Sequence, residues 1–252
     1  MRNHGSHSLV LIVDDDACVR AALQELLQSV GIESTGFASA QEMAESRIPA
    51  RPGCLILDVR MPGLGGLDLQ HRLAADRDAK PIVFLTGHAD VPMAVQAMKA
   101  GAVDFLIKPV RDQEFLDAVA SAIARDIARR ESAAIVARNI RRVETLTPRE
   151  REVLNEVAHG RLNKQIAFDL GISEVTVKLH RGNGMRKMEA ASIGELIRAW
   201  ETLPASMREP RRFVARHCPV VAQKPARDQN LHQIVDTAGG AGRTRALNQA
   251  LG

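Results

Sequence analysis

Residues 9–16 read Leu-Val-Leu-Ile-Val-Asp-Asp-Asp, five apolar side chains in a row and then three carboxylates. A short unbroken apolar run marks a strand buried on both faces, as in a parallel sheet covered by helices. The abrupt change to carboxylates says that the chain leaves the core there and enters a polar crevice. Working outward, the same kind of run recurs at Cys54–Asp58, Pro81–Thr86 and Val103–Ile107, with Ile32–Phe37 a weaker fifth strand. Between the runs lie segments of helical spacing. One is Ala17–Ser29, with Val19, Leu23, Leu26 and Leu27 on one face, and the others are Ser39–Glu45, Gly66–Ala75 and Val91–Ala100. Ser39 with Glu42 fits a capping box, Asp90 before Val91-Pro92 opens a helix, and Gly31 and Gly101 stand where helices stop. Five βα units in this order predict an α/β domain built on a doubly wound, five-stranded parallel sheet.

From Asp112 the pattern is helical. Phe115, Leu116, Val119, Ile123 and Ile127 form a stripe that Ile135, Val136, Ile140 and Val143 continue through an Arg-rich stretch. Asp112–Arg130 reads as the last helix of the first domain and Glu131–Val143 as a stiff helical linker, since it lacks Pro and Gly. Thr147-Pro148-Arg149-Glu150 then joins an N-cap, a first-turn proline and a Glu at the third position. Helices fit from there to about His159, over Asn163–Leu170, over Glu174–Lys187 behind Ser173, and over Ile193–Trp200 with Ser192 and Glu195 as a box. Beyond Leu203 the periodicity ends, and four prolines, the Gly239–Gly242 run and scattered arginines describe a basic, unstructured tail. The expected division is 8–128 for the α/β domain, 129–144 for the linker, 145–203 for a small all-α domain and 204–252 for the tail.

Charge and composition narrow the function. Residues 1–143 carry 17 basic and 18 acidic side chains, residues 144–203 carry nine of each, and residues 204–252 carry eight and three. The net charge of +4 therefore arises in the tail and is no argument that a folded domain binds nucleic acid. No apolar stretch is longer than Leu9–Val13, far short of the ~18 residues a membrane span needs, and the N-terminus has no signal-peptide core. A cytoplasmic protein with no membrane partner is expected. Cys18, Cys54 and Cys218 form no disulfide or zinc pattern and read as reduced, mostly buried thiols. His4 and His7 are too isolated for a metal site, and the arginines of 125–142 read as a solvated face.

In open α/β sheets, ligands bind outside the carboxyl ends of the strands. Here those ends carry Asp14-Asp15-Asp16, Asp58, Thr86-Gly87 and Lys108-Pro109. Folding would gather carboxylates, a hydroxyl and an ammonium around one crevice. Clustered carboxylates hold protons unless a cation neutralises them. An all-oxygen site with few protein ligands suits Mg²⁺, which keeps its waters and takes phosphate oxygens. Asp16 reads better as the N-cap of the helix that follows.

The motifs Val-Asp-Asp-Asp (13–16), Leu-Asp-Val-Arg-Met-Pro-Gly (57–63), Leu-Thr-Gly-His (85–88) and Phe-Leu-Ile-Lys-Pro (105–109) resemble the receiver domain of two-component response regulators over residues 8 to about 128. The stretch 87–95 is similar to the FixJ-type subgroup. The resemblance implies a flavodoxin-like receiver in which Asp58 accepts a phosphoryl group from the phosphohistidine of a sensor histidine kinase. It implies that Asp14, Asp15, Asp58 and the backbone carbonyl of Arg60 hold Mg²⁺, that Thr86 and Lys108 contact the phosphoryl group, and that Thr86 and Phe105 are the switch pair. The helix at 91–100 and the strand at 103–107 would form the face of a homodimer on phosphorylation.

Residues 145–203 resemble the LuxR-type helix-turn-helix output domain through Leu-Thr-Pro-Arg-Glu-Arg-Glu-Val-Leu (146–154), Asn-Lys-Gln-Ile-Ala (163–167), Leu-Gly-Ile-Ser (170–173) and Thr-Val-Lys-Leu-His-Arg (176–181). Asn163–Leu170 would be the positioning helix and Glu174–Lys187 the recognition helix in the major groove. Lys178, Leu179 and Gly182 would face bases, while Lys164, Thr176, His180 and Arg181 would lie near phosphates or the groove edge. Asn183 and Lys187 are further candidates. The module's net charge is zero, but Lys178, Arg181, Arg186 and Lys187 oppose only Glu174 and Glu189 in and just beyond the recognition helix. Gly182 and Gly184 depart from the family pattern. Glycine inside a helix costs ~1 kcal/mol relative to alanine, so replacing both is expected to stabilise this helix.

The reading is a phosphorylation-activated, DNA-binding transcriptional regulator, not an enzyme, with promoter DNA as its ligand and RNA polymerase as a candidate partner. The alternative is a receiver-based partner-binding or phosphate-sink module with impaired DNA reading, which the two glycines motivate. An aspartate-nucleophile phosphatase of the haloacid-dehalogenase type wants a second Asp two residues after Asp58, where Arg60 stands. No P-loop supports an NTPase.

Overall fold

The computed structural model describes residues 8–73, 79–87 and 90–208. Five strands, β1 (Leu9–Val13), β2 (Glu33–Phe37), β3 (Gly53–Leu57), β4 (Ile82–Thr86) and β5 (Asp104–Ile107), form one sheet in the order β2-β1-β3-β4-β5, all parallel. Helices α1 (Ala17–Ser29), α2 (Ala40–Glu45), α3 (Gly66–Leu73) and α4 (Val91–Lys99) connect them. Successive side chains on a strand point to opposite faces. Leu9, Leu11 and Val13 accordingly enter one core with Met43, Leu69 and Ala97. Val10 and Ile12 enter the other with Leu23 and Leu27 of α1 and Phe115 and Val119 of the long helix α5 (Asp112–Glu144). Both faces are thus covered, which is why β1, β3 and β4 are buried along their whole length while the edge strand β2 alternates.

The expected helix signals appear with some changes of partner. Asp16 caps α1 by accepting from the N–H groups of Cys18 and Val19, and Asp90 caps α4 through Met93 N–H. Ser39 caps α2, but the Glu42 carboxylate accepts from Ala38 N–H rather than closing the box on Ser39. The last turn expected for α3, together with His4, His7, His88, Cys218 and the chain from 209 onward, lies outside the described residues. Cys54 is buried, with its thiol pushed up to about 12 by desolvation, whereas Cys18 is exposed at the start of α1. The second position corrects the expectation of a buried thiol there.

The expected helix and linker are one 33-residue helix, α5, with its ends in two different cores. Phe115, Val119 and Ile123 pack under the sheet, while Ile140 and Val143 pack in the helical module. Its arginines are not simply a solvated face. Arg129 and Arg130 both donate to Asp126, which is fully buried and also accepts from Gly53 N–H at 3.0 Å. Burial pushes the Asp126 carboxyl up, but these donors outweigh it and hold it below the usual aspartate value. This pins α5 to the N-terminal end of β3.

The helical module comprises α6 (Pro148–Ala158), α7 (Asn163–Leu170), α8 (Glu174–Lys187), α9 (Ile193–Glu201) and a further turn, α10 (Ala205–Arg208). The last extends ordered chain one turn past Leu203, with Met207 against the core. Thr147 and Glu150 close the expected capping box on α6, and α7 ends at Gly171 with φ 61°. The core is built on Val153, Leu154, Ile166, Val177, Leu196 and Trp200. Gly184 is buried where α8 crosses α6, and a Cβ placed on it would lie 2.8 Å from Leu154 Cδ1. Gly182 faces open space. The expectation that both glycines weaken α8 is therefore corrected. Gly184 permits the close crossing, and only Gly182 is a simple loss of helix propensity.

Two outcomes follow from this packing. Gly182→Ala should raise thermal stability by up to ~1 kcal/mol, whereas Gly184→Ala should lower it by ~1–3 kcal/mol through overpacking. Asp126→Asn should cost about 3 kcal/mol at pH 7, since it unpairs two arginines. A carboxyl held below its usual value stabilises the fold above about pH 4 and loses that contribution as pH falls. Urea titrations should therefore show the difference between wild type and Asp126→Asn shrinking towards pH 3.

Candidate functional site

The sheet brings the ends of β1, β3, β4 and β5 to one edge. Asp58 N–H donates to the Val13 carbonyl at 2.9 Å, which sets the residue after β3 beside the residue after β1. Thr86 is in register with Ile107, and Lys108 N–H donates to the Thr86 carbonyl at 2.9 Å, so the ammonium projects from beside the threonine. Carboxylate oxygens of Asp14, Asp15 and Asp58 all lie within 4.8 Å of one another. Asp14 is 2% exposed and Asp58 8%, while Asp15 is exposed. Lys108 Nζ lies 2.5 Å from Asp14 Oδ2 and 3.6 Å from Asp58 Oδ2. Arg60 reaches the group through its N–H, which leans on Asp58 Oδ1 at 3.4 Å. Thr86 is buried at the rim. Phe105 is half-buried, with its ring 5.9 Å from that of Phe84.

Three carboxylates against one ammonium leave an excess of negative charge in a crevice with two of the three groups buried. The donors are hard oxygens, few in number, and one of them opens to solvent. Such a group can hold a divalent cation that keeps part of its water. A residue passed over in the sequence belongs here as well. Arg20 Nη1 donates to the Asp14 carbonyl at 2.7 Å and fixes the backbone of the loop after β1. Its position on the first turns of α1, six residues after Asp14, was the available signal.

In the helical module, Lys164 and Lys178 are exposed, and Leu179 is 61% exposed. Gly182 is exposed on the same side of α8, at helical spacing from Lys178 and Leu179. His180 is half-buried. Thr176 bonds to the capping Ser173 through both its N–H and its hydroxyl. Arg181 donates to Asn163 Oδ1, tying α8 to the start of α7, and Asn183 accepts from Arg186. Lys187 is committed elsewhere, with its ammonium 2.7 Å from Glu150 Oε2 and 3.1 Å from the Thr145 carbonyl. That hydrogen bond holds the Glu150 carboxyl below its usual value against the opposing effect of burial. Arg142 pairs with Glu189 just beyond α8. Both ties fasten the C-terminal end of α8 to the junction of α5 and α6. Val175 also lies on the open side of α8 and was not among the residues picked out from the sequence. Its spacing from Lys178 and Leu179 was the signal.

Among the described residues, no helix is long and apolar enough to cross a membrane. Comparison with known proteins places this geometry. Residues 10–120 match the model of the response regulator receiver domain, and residues 144–200 match that of bacterial regulatory proteins of the luxR family. Nodulation protein W of Bradyrhizobium diazoefficiens is 51% identical over 211 residues, covering 81% of this chain and 93% of that protein. The transcriptional regulatory protein FixJ of Azorhizobium caulinodans is 42% identical over 189 residues, covering 75% and 90%. A low-resolution structure of the response regulator StyR superposes with a TM-score of 0.70 at 45% identity, covering 77% of this chain and 98% of that one. Two family models thus account for residues 10–120 and 144–200, relatives above 40% identity cover most of the chain, and the chain belongs to the response-regulator family, with a receiver domain and a LuxR-type DNA-binding output domain.

Proposed function

We propose that the chain is the phosphorylation-activated transcriptional regulator of a two-component system, working in the cytoplasm as a switch and not as an enzyme. The observation that carries this reading is Asp58: a nearly buried carboxylate next to two others and 3.6 Å from the Lys108 ammonium, in a chain that also carries a helix-turn-helix. Phosphoryl transfer asks a protein mainly for position and charge neutralisation. Asp58 attacks the phosphorus of a kinase phosphohistidine, so the new O–P bond forms as the N–P bond breaks, and the product is a labile acyl phosphate. Asp14, Asp15, Asp58 and the Arg60 carbonyl would hold Mg²⁺, which supplies charge neutralisation at the phosphoryl oxygens. Lys108 exchanges part of its contact with Asp14 for the phosphoryl group, and Thr86 turns its hydroxyl towards it. Phe105 follows Thr86 inward, altering the face made by α4 and β5.

That face carries exposed Val91, Val95, Met98 and Ile107, which supports its use in a phosphorylated homodimer and hence two output domains on a two-fold DNA site. Base contacts are assigned to Lys178, Leu179 and Gly182, and backbone contacts to Lys164, Thr176, His180, Arg181 and Asn183. Lys187 is left out of the set because Glu150 occupies it. A promoter-bound dimer would act with RNA polymerase. Gly184 removes one motive for the alternative of a decayed DNA reader, since its place in α8 is dictated by packing on Leu154.

With Mg²⁺ and acetyl phosphate, one phosphoryl group should appear on the wild-type chain and none on Asp58→Asn. Labelling that persists in Asp58→Asn would reject the assignment. Lys108→Ala should spoil the switch more than cation binding, because an ammonium does not ligate a metal. Sedimentation should show dimers after phosphorylation, and footprinting should show protection that depends on the phosphodonor. Lys178→Ala should weaken specific binding by ~1–3 kcal/mol.

A further inference from the structure

Recognition helices usually combine a buried face with a polar reading face. Helix α8 also carries two exposed apolar side chains on its outer face. Its inner face buries Val177, with Gly184 against Leu154 and Met188 just beyond the helix end. Its outer face, at positions 175, 178, 179 and 182, presents Val175 at 75% exposure, Lys178, Leu179 at 61%, and a glycine with nothing near its missing side chain. Of these four positions only Lys178 has a hydrogen-bonding side chain.

An outer face of this kind can read a base edge by donation at one position and by apolar contact at two others. In the major groove the apolar feature that distinguishes base pairs is the C5 methyl of thymine. Lys178 and Arg186 lie on the same exposed side and Glu174 borders Val175, so the charge around the apolar pair is positive on balance. That charge favours a polyanion over an apolar protein surface as the occupant. Gly182 leaves the end of the stripe flat, which lets the helix approach closely there. Resting on the DNA-reading function above, we infer that Val175 and Leu179 form an apolar clamp for thymine methyl groups, and that Val175 is a specificity-determining residue of this chain. Alanine is a better helix former than valine, so Val175→Ala removes the contact without weakening α8.

The test uses the full chain with acetyl phosphate and Mg²⁺. A preferred duplex is selected from random sequences, then each thymine in a half-site is replaced singly by uracil, which lacks only the methyl. Affinities are measured by fluorescence anisotropy at fixed salt. A buried methyl is worth about fourfold. Wild type should lose about that factor at one or two thymines per half-site. Val175→Ala should bind the thymine duplex about as weakly as wild type binds the uracil one, and should show no further loss on uracil at its position. Leu179→Ala should do the same at the neighbouring position. Lys178→Ala should bind more weakly overall while keeping the uracil penalties. A selected site indifferent to uracil, or uracil penalties that persist in both Val175→Ala and Leu179→Ala, would overturn the clamp and leave the DNA-binding function standing. Failure to select any site would overturn both.

Discussion

A surplus of negative charge, fixed where four parallel strands end, is the constraint on which the receiver domain depends. Like charges about 4 Å apart cost roughly 1 kcal/mol in water and several times that near a protein surface. Carboxylates on mobile loops would simply move apart. Here Asp58 is held by the Val13 carbonyl, the loop after Val13 is held by Arg20, and Lys108 follows directly from the pairing of β4 with β5. The stability of the buried sheet maintains the repulsion. An arrangement that is uncomfortable when empty of cation or phosphoryl group changes most when either arrives, and that is the property a switch requires.

The other end of the sheet is arranged in the opposite manner. Asp126 is surrounded by donors, two arginines and a backbone N–H, and its charge is fully answered. That end ties α5 to the start of β3. The helical module repeats the device on a smaller scale. Glu150 serves its own helix as a cap and also receives Lys187 from α8, so one carboxylate orients two helices.

Much of this was legible in the chain. Strands buried on both faces announce themselves as apolar runs, and residues at their ends must meet because parallel strands share one polarity. For that reason Asp14, Asp58, Thr86 and Lys108 could be grouped without coordinates. The edge strand β2 was the weak reading, since Glu33 and Thr35 face outward and break the run. What stayed hidden depends on contacts between distant positions. Nothing near Gly184 reveals that Leu154 lies against it, and nothing near Lys187 reveals Glu150. The helical stripe through 112–143 was legible, and the domain helix and its linker prove to be one element whose caps are Arg111 and Thr145. Cys18 looked buried because cysteines usually are, but it stands on the first turn of α1, which faces solvent.

The continuity of α5 has a consequence for the lengths this protein can tolerate. Residues 131–138 are almost wholly exposed, so their side chains could change freely. Their number could not. Each residue added to a helix advances it 1.5 Å and turns it by 100°, so one insertion would swing the output module more than a quarter-turn about the helix axis relative to the receiver. An insertion of seven or eleven residues would nearly restore the original angle. The span is thus permissive in spelling and strict in phase, like a drive shaft whose surface finish is unimportant but whose keyways must stay aligned.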